Sequence, residues 1–346
     1  MTVTPSTING KNDAPVASPV ASGAASTVVA PAVTVVIAAW RSAGTIGRAV
    51  ASALGQPETA EVVVVDDASG DDGATLAAAR AADDGTGRLT VLAQAKNAGP
   101  SAARNVAIGA SKADWIAVLD SDDFMEPGRL AKLMALAGAG YDLIADDLLQ
   151  TPEGQPVSAG KVLWFRDDQT PIDVSCGMFI DSNITKASRM RRELGFLKPL
   201  VRRAFLAKHG LSYDETMRLG EDYDLYARAL SLGAKMRLVP WTGYVSVMRG
   251  NSLSLNHGRP ELAALEASDD RLLASGKLNV ADAKLVKQHR FSTRSRLVWI
   301  DFMAALKGGK PFHALGVILK DVRQLPYVMR GVVRMVASRF GGAKKT

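Results

Sequence analysis

Between residues 33 and 119 the sequence alternates short apolar runs with segments of helical periodicity. The apolar runs are residues 33–39, 61–65, 89–93 and 115–119, and the helical segments are residues 45–54, 74–82 and 100–110. Strands that alternate with helices of this length form βαβ units, whose strands lie parallel in one sheet. Because the runs are mostly apolar, helices are expected to cover both faces of the sheet. The sequence therefore predicts an α/β fold.

Beyond residue 140 the alternation is less regular. The predicted elements there are a strand over residues 141–147, helices over residues 199–209 and 221–233, and a short strand over residues 235–239. Residues 150–195 show no clear period and receive no assignment. Beyond Pro260 the sequence is predicted to be helical throughout, which adds a helical extension to the α/β part.

Composition and charge divide the chain into three parts. Residues 1–31 are rich in Ala, Ser, Thr, Pro and Val without any period, which predicts a disordered leader. Residues 32–258 are predicted to form the α/β domain, and residues 259–346 a helical, basic region. From Lys310 to the end there are eight basic residues and one acid, so this segment alone carries +7, equal to the net charge of the whole chain. Such a segment indicates an anionic partner, with a membrane surface or nucleic acid as the two obvious classes.

The composition favours a cytoplasmic protein. The chain has one cysteine, Cys176, so it can form neither an internal disulfide nor a thiolate zinc site. No uncharged apolar run of about 20 residues is present, so no membrane-spanning helix is predicted. The N-terminus lacks a basic segment followed by an apolar one, and no signal peptide is predicted.

An acidic cluster follows the predicted strand over residues 115–119. Asp120, Asp122 and Asp123 lie within four positions, so their carboxylates repel one another unless a cation or water compensates them. At the carboxyl end of such a strand the cluster lies where α/β sheets bind ligands. Carboxylate oxygens suit Mg²⁺ or Mn²⁺ ions that bridge to substrate phosphates. The alternative is that Asp122 or Asp123 caps a helix that begins near Glu126.

Three further charged groups are candidates for a site. Asp66 and Asp67 end the second strand, where they can bind a base or ribose, or hold a turn in front of the next helix. Arg104 lies one turn into a helix, where it can pair with Asp66 or Asp67, reach a nucleotide, or extend into solvent. Glu221 and Asp222 begin a helix, whose N-terminus stabilises acids, and either can also serve as a general base. Neither GxGxxG nor GxxxxGK[ST] is present, so the two commonest phosphate-binding loops are not indicated.

Five segments, taken in order, resemble the family 2 glycosyltransferases of the GT-A fold, and among them bacterial exopolysaccharide glycosyltransferases. The segments are VTVVIAAW, VVVVDDASGDD, NAGPSAARNVAIGAS, WIAVLDSDD and GEDYDLYARALSLG. The resemblance covers residues 33–255. It implies an inverting, metal-dependent transfer of a sugar from a nucleotide-diphosphate donor, usually a UDP-sugar, with Mn²⁺ or Mg²⁺ as cofactor.

The resemblance also implies which residues bind the nucleotide. They are Ala39, Asp66, Asp67, Arg104 and Asp120. Asp66 and Asp67 match the acidic turn that reads the base, Arg104 matches an arginine beside the nucleotide, and Asp120 is expected near the ribose. Ala39 lies in the segment AAWR, where many members have PAYN.

For the chemistry, the resemblance assigns Asp122 to the metal ion and Asp222 to the catalytic base, with Glu221 beside it. Residues 249–254 resemble the flexible segment that closes over the donor. General-base catalysis of this kind contributes about 10²–10⁴-fold in rate. The QxxRW sequence of processive synthases is absent, which favours a single addition per acceptor.

The expected acceptor is a saccharide, either lipid-linked or soluble. Two other functions stay open: a sugar nucleotidyltransferase, and a non-catalytic scaffold on a membrane surface that has kept the fold. The chain lacks the Gly-rich, Arg/Lys-containing loop usual in nucleotidyltransferases. It also lacks a nucleic-acid-binding motif with interleaved aromatic residues, and no nucleic acid partner is expected.

The last predicted helix is basic and amphipathic. Its apolar side chains, four residues apart, are Val328, Val332, Val336 and Phe340, and its basic ones are Arg330, Arg334 and Arg339. Such a helix suits the surface of an anionic membrane, which would place the protein peripherally on the inner face of the cytoplasmic membrane. It equally suits a helix that packs its apolar stripe on the catalytic domain.

Overall fold

The computed structural model describes residues 1–2, 32–166, 169–184, 192–249 and 258–341. The predicted leader lies almost entirely outside the described residues, as do residues 250–254 of the predicted closing segment and the side chains of Arg339 and Phe340. The described residues from Ala32 onward belong to one compact unit.

A mixed sheet of ten strands lies at the centre of the described part of this unit. The strands are β1 (Val33–Ala39), β2 (Thr59–Asp66), β3 (Leu89–Ala93), β4 (Trp115–Val118), β5 (Phe124–Met125), β6 (Leu143–Pro152), β7 (Lys161–Val162), β8 (Ile172–Val174), β9 (Leu200–Arg202) and β10 (Met236–Met248). The α-helices are α1 (Ile46–Leu54), α2 (Ala74–Ala81), α3 (Pro100–Ala110), α4 (Arg129–Met134), α5 (Cys176–Asn183), α6 (Arg203–His209), α7 (Glu221–Ser231), α8 (Arg259–Ala274), α9 (Val280–Lys307), α10 (Pro311–Lys320) and α11 (Leu325–Gly341).

The sheet consists of two halves. Its main order is β3-β2-β1-β4-β9-β6-β10-β5, with β7 paired to β6 and β8 to β10. The first four strands are parallel, as the sequence predicts. Strand β9 runs antiparallel to both β4 and β6 and joins the halves. Because β1 and β4 are buried and α1 and α3 pack on the parallel half, the predicted α/β class is confirmed.

Two predicted elements are wrong in part. The helix predicted over residues 199–209 is divided, because Leu200–Arg202 form β9 and the helix α6 begins only at Arg203. Three residues carry too little periodicity to be recognised, and β9 forms because it pairs on both sides. The strand predicted over residues 235–239 continues to Met248 through an irregular register between Val239 and Tyr244.

The irregular part of β10 has a specific stabilising partner. Pro240 cannot donate to a ladder, and a strand is normally expected to end there. The carboxylate of Asp146 instead accepts the backbone N–H groups of Gly243 and Tyr244, at 2.8 and 3.1 Å from Oδ2. Arg129, which is fully buried, neutralises this carboxylate at 2.7 Å. A side chain therefore replaces the missing backbone partners, and the strand continues.

The described residues from Arg259 onward are mainly helical, as predicted, and α10 and α11 pack on α9. The predicted apolar stripe of α11 is wrong in part, because Val328 is fully buried while Val336 is 43% exposed. Val328 lies one turn before Gly331, whose Cα approaches the ring of Trp299 on α9 so closely that a Cβ would collide with it. None of the helices in the described ranges has the length and apolar content that crossing a bilayer requires.

Candidate active site

The predicted site residues come together at one edge of the sheet. Parallel strands β1, β2 and β4 end there, with Ala39 paired opposite Asp66 in the ladder. The acidic cluster that begins at Asp120 follows β4 directly. Arg104 reaches this edge from α3, and Glu221 and Asp222 reach it from the first turn of α7.

Asp66 and Asp67 are buried and hold turns. Asp66 accepts the N–H of Ser69 at 3.1 Å and its hydroxyl. Asp67 accepts the N–H groups of Ala98 and Gly99 at 2.7 and 2.8 Å, immediately before α3. The expected turn role is therefore present, but Asp67 holds the segment in front of α3 instead of the one in front of α2.

Ala39 contributes backbone to this edge. Its side chain is buried, and its carbonyl accepts the N–H of Asp67 at 2.8 Å. The next residue, Trp40, is 46% exposed, and the guanidinium of Arg41 lies 4.8 Å from its ring centroid. A large exposed ring at the end of β1 is a feature that the comparison of AAWR with PAYN did not single out.

Arg104 is buried and forms the centre of an ionic cluster. Its guanidinium donates to Glu221 at 2.6 Å and to Asp120 at 2.7 Å, and lies 3.5 Å from Asp222. The expectations of a pairing with Asp66 or Asp67, and of a solvated arginine, are thus both wrong. Arg104 Nε is buried and has no hydrogen-bond partner in the described part of the chain.

Lys198 is a site residue that sequence reasoning missed. Its ammonium lies between the carboxylates of Asp120 and Asp222, at 2.9 and 2.7 Å. It is 8% exposed, and its backbone carbonyl accepts a hydrogen bond of 2.6 Å from Arg129. Burial lowers the pKa of Lys198, but the charges of Asp120 and Asp222 outweigh burial and raise that pKa above its usual value. Lys198 therefore stays charged at neutral pH.

Asp222 is held from three sides. Lys198 donates to its Oδ2, the hydroxyl of Tyr213 donates to its Oδ1 at 3.0 Å, and Arg104 lies near the same oxygen. Burial and the charge of Asp222 raise the pKa of Tyr213 well above its usual value, so the hydroxyl keeps its proton. The carboxylate is fixed in one orientation, and each of its oxygens retains a lone pair.

The charges in the cluster set different protonation preferences. For Asp120, burial favours the neutral form, but Lys198 and Arg104 outweigh burial and hold its pKa well below the usual range. For Glu221, burial raises the pKa above the usual value and the charge of Arg104 opposes this. Asp120 is therefore ionised at neutral pH.

Asp122 and Asp123 differ although they are neighbours. Asp123 is buried, its carboxylate accepts from the hydroxyl of Tyr244 at 2.9 Å and from the N–H of Val247 at 2.8 Å, and burial followed by the charge of Asp120 raises its pKa to about 8. Asp122 is 39% exposed at its side chain, and Arg249 lies 3.3 Å from its Oδ2. Burial and the charge of Asp120 raise the pKa of Asp122 as well.

Asp122 has the most exposed side chain of the acidic cluster, and Arg249 contacts its carboxylate at Oδ2. The oxygens of Asp120 face Arg104 and Lys198, and those of Asp123 accept bonds from the protein. Among the residues the structure describes, no group of three or more His, Cys, Asp or Glu side chains is arranged to hold a metal. These residues fit an ion that takes one carboxylate from the protein and its remaining ligands from diphosphate and water, as Mg²⁺ commonly does.

Comparisons with known proteins identify the family and the fold. The family model described as glycosyl transferase family 2 matches residues 34–194. The chain is 45% identical over 317 residues to the succinoglycan biosynthesis protein ExoU of Rhizobium meliloti (strain 1021), covering 91% of each chain. The structure resembles residues 1–349 of S. aureus TarS in complex with UDP-GlcNAc, with a TM-score of 0.59, 15% identity, and coverage of 85% of this chain and 92% of that one. It also resembles the mannosyltransferase PcManGT from Pyrobaculum calidifontis in complex with GDP-Man and Mn²⁺, with a TM-score of 0.54, 15% identity, and coverage of 89% and 81%.

Proposed function

The chain belongs to glycosyltransferase family 2 and has the GT-A fold, and we propose that it transfers a hexosyl group from a UDP-sugar to a saccharide acceptor with inversion at the anomeric carbon. The proposed process is bacterial exopolysaccharide synthesis, and the proposed acceptor is lipid-linked. The role of ExoU in succinoglycan biosynthesis supports this process, since the two chains match over nearly their whole length.

One observation carries the proposal. Arg104 and Lys198 each contact Asp120 at the end of β4 and the Glu221-Asp222 pair at the start of α7. Asp120, which is proposed to bind the donor ribose, and Asp222, which is proposed as the base, therefore contact the same cation. Transfer from a nucleotide sugar to a hydroxyl requires the donor and the base to be held in one site, and a shared cation between the two carboxylates supports this.

We assign the donor contacts as follows. Asp120, ionised and partly exposed, accepts hydrogen bonds from ribose hydroxyls. Asp66 and Asp67 fix the turns around the base, and the exposed ring of Trp40 offers it a stacking surface. Asp122 would hold Mn²⁺ or Mg²⁺, and a divalent ion bound there would stabilise negative charge on the departing diphosphate.

The proposed chemistry is a single displacement. The acceptor oxygen attacks the anomeric carbon from the face opposite the diphosphate, and the bond from that carbon to the diphosphate oxygen breaks. The acceptor proton passes to Asp222, and UDP leaves with the electron pair of the broken bond. Tyr213 and Lys198 hold the carboxylate of Asp222 in a fixed orientation during this proton transfer.

The proposed location is the cytoplasm, with peripheral association on the inner face of the cytoplasmic membrane. A lipid-linked acceptor resides at that surface. An enzyme bound there searches for its acceptor in two dimensions.

A donor screen tests the proposal without the acceptor. The full chain is incubated with several UDP- and GDP-sugars, with Mn²⁺, with Mg²⁺ or with EDTA, and the released nucleotide is measured. We expect slow hydrolysis of at least one UDP-hexose, supported by either ion and abolished by EDTA. Hydrolysis of GDP-sugars only, or equal rates in EDTA, contradicts the proposal.

A further inference from the structure

The helices α10 and α11 expose an unusual amount of apolar surface. Eight of the fifteen large hydrophobic side chains that are exposed in the described residues fall within this short segment. We call them the C-terminal apolar surface: Phe312, Leu315, Leu319, Val322, Leu325, Met329, Val333 and Val336. Monomeric proteins rarely expose such a concentration of apolar side chains unless it contacts another molecule.

The surface is the side of each helix that does not pack on α9. In α11 the packed side contains Val328, which is fully buried, and Gly331, which lies against Trp299. The exposed Leu325, Met329, Val333 and Val336 follow one another at intervals of four, four and three residues, so they share another side of the helix.

The same pattern holds in α10. Ala314 is buried on the side packed against α9, while Phe312, Leu315 and Leu319 follow at intervals of three and four residues on the outer side. Phe312 is 89% exposed, the highest value in the surface. Packing on α9 thus accounts for one side of each helix and leaves the other apolar side uncovered.

The charges around the surface have one sign. Between residues 306 and 337 the exposed basic side chains are Lys307, Lys310, Lys320, Arg323, Arg330 and Arg334, and the single acid is Asp321. In α11, Arg330 and Arg334 lie one turn apart on the side away from Val328. An apolar side edged by basic residues matches a partner with an apolar interior and an anionic rim.

We propose that the C-terminal apolar surface binds an anionic lipid bilayer, with α10 and α11 lying in the interface and their basic side chains on lipid phosphates. Charge decides between this partner and a second copy of the chain. A symmetric contact through this surface would bring two sets of six basic side chains together, whereas anionic headgroups neutralise them. The inference names a partner surface for the proposed function but does not depend on the reaction, because lipid binding needs neither donor nor acceptor.

Vesicle co-sedimentation of the full chain tests the proposal. The probes are vesicles of phosphatidylcholine alone and of phosphatidylcholine with phosphatidylglycerol, at low and high salt. We expect binding to the anionic vesicles at low salt, little binding to the neutral ones, and a clear loss at high salt. Failure to sediment with anionic vesicles at low salt overturns the proposal.

Two triple variants separate the charge from the apolar contribution. Lys320→Gln with Arg330→Gln and Arg334→Gln should weaken anionic vesicle binding about a hundredfold, since each basic side chain near the surface is worth about fivefold. Phe312→Ser with Leu319→Ser and Met329→Ser keeps every charge and should also abolish most binding.

A matched control removes three exposed lysines from α8–α9: Lys277→Gln, Lys284→Gln and Lys287→Gln. It should bind vesicles nearly as well as the natural chain, and an equal loss would mean that net charge alone is responsible. Analytical ultracentrifugation provides the second measurement. If the natural chain is a dimer that the serine variant dissociates, the surface is a subunit interface and the proposal fails.

Discussion

Arg104 and Lys198 decide how the acidic residues of the site are arranged. These two cations lie among three carboxylates that come from two segments of the chain: Asp120 after β4, and Glu221 and Asp222 at the start of α7. Without them, burial of the carboxylates would favour protonation or a change of conformation. The protein itself therefore supplies the cations that hold the carboxylate proposed for the ribose and the one proposed as the base.

The first residue-scale prediction concerns Asp222. Asp222→Asn should retain affinity for UDP and metal, because the amide has the same size, but lose at least tenfold in transfer rate, since it cannot take a proton. Initial rates of transfer and calorimetric UDP affinity measure the two effects. Glu215→Gln is the control, because Glu215 is an exposed carboxylate that contacts Asn105 outside the cluster. Transfer by Asp222→Asn at more than a tenth of the natural rate would exclude general-base catalysis of the usual size there.

The second concerns Lys198. Lys198→Met leaves Asp120 and Asp222 without their shared cation, so it should lower the free energy of unfolding by about 3 kcal/mol. It should also lower kcat more than it raises KM, because Asp222 loses its orientation. Lys198→Arg should restore part of both, and Lys208→Met, at an exposed lysine of α6, should change neither. An unchanged kcat in Lys198→Met would show that Lys198 has only a structural role.

The third concerns Asp122. Asp122→Ala should remove the gain in UDP affinity that Mn²⁺ or Mg²⁺ provides, since no other oxygen of the acidic cluster is free of protein partners. Calorimetric titrations with and without metal give the comparison. The variant and the natural chain should bind UDP alike in EDTA, which controls for the fold. Equal metal-dependent affinity in both proteins would rule out Asp122 as the metal ligand.

At the scale of elements, the part of β10 beyond Val239, which the sequence does not predict, depends on the ion pair between Arg129 and Asp146. Arg129→Leu leaves the buried carboxylate of Asp146 without its cation, which should cost about 3–5 kcal/mol of unfolding free energy in urea. Adding Asp146→Asn should recover more than half of the loss. The amide oxygen still accepts from the N–H groups of Gly243 and Tyr244 but carries no charge. A double variant no more stable than the single one would contradict this account.

The elements that the sequence predicts well are those whose signals are local. Strands β1 and β2 are apolar runs ended by polar turns, and α3 has Pro100 at its start. The poorly predicted elements depend on distant partners. Strand β9 exists because β4 and β6 lie on either side of it, and β10 passes Pro240 because Asp146 accepts the N–H groups of the following turn.

At the scale of the whole molecule, the site was predictable only where its residues end strands or begin helices. Asp66, Asp120 and Asp222 have such positions, and they lie together at one edge of the sheet. Lys198 has no local signal, because the carboxylates that define its role lie far away in sequence, at Asp120 and Asp222. For the same reason, the apolar stripe of α11 is predicted wrongly in part: which of its valines is buried depends on how α11 packs on α9.

Strand β9, which joins the two halves of the sheet, leads to a prediction about hydrogen exchange. Strand β9 is three residues long, bonded on both sides, and nearly inaccessible at Leu200 and Val201. Its amides should exchange with deuterium only through global unfolding, at rates similar to those of β2. Mass spectrometry of the peptides from β2 and β9 measures both. Much faster exchange in β9 would show that the halves separate before either unfolds.

Lys198 lies two residues before the first residue of β9. Its position in the charge cluster should therefore couple ligand binding at the site to hydrogen exchange of the β9 amides. A nucleotide sugar that strengthens the charge cluster stabilises the position of Lys198 and hence the start of β9. Deuterium uptake in β9 should therefore fall when donor and metal are added, although no residue of β9 belongs to the proposed donor site. Deuterium exchange of the buried β9 amides should thus indicate whether the active site is occupied.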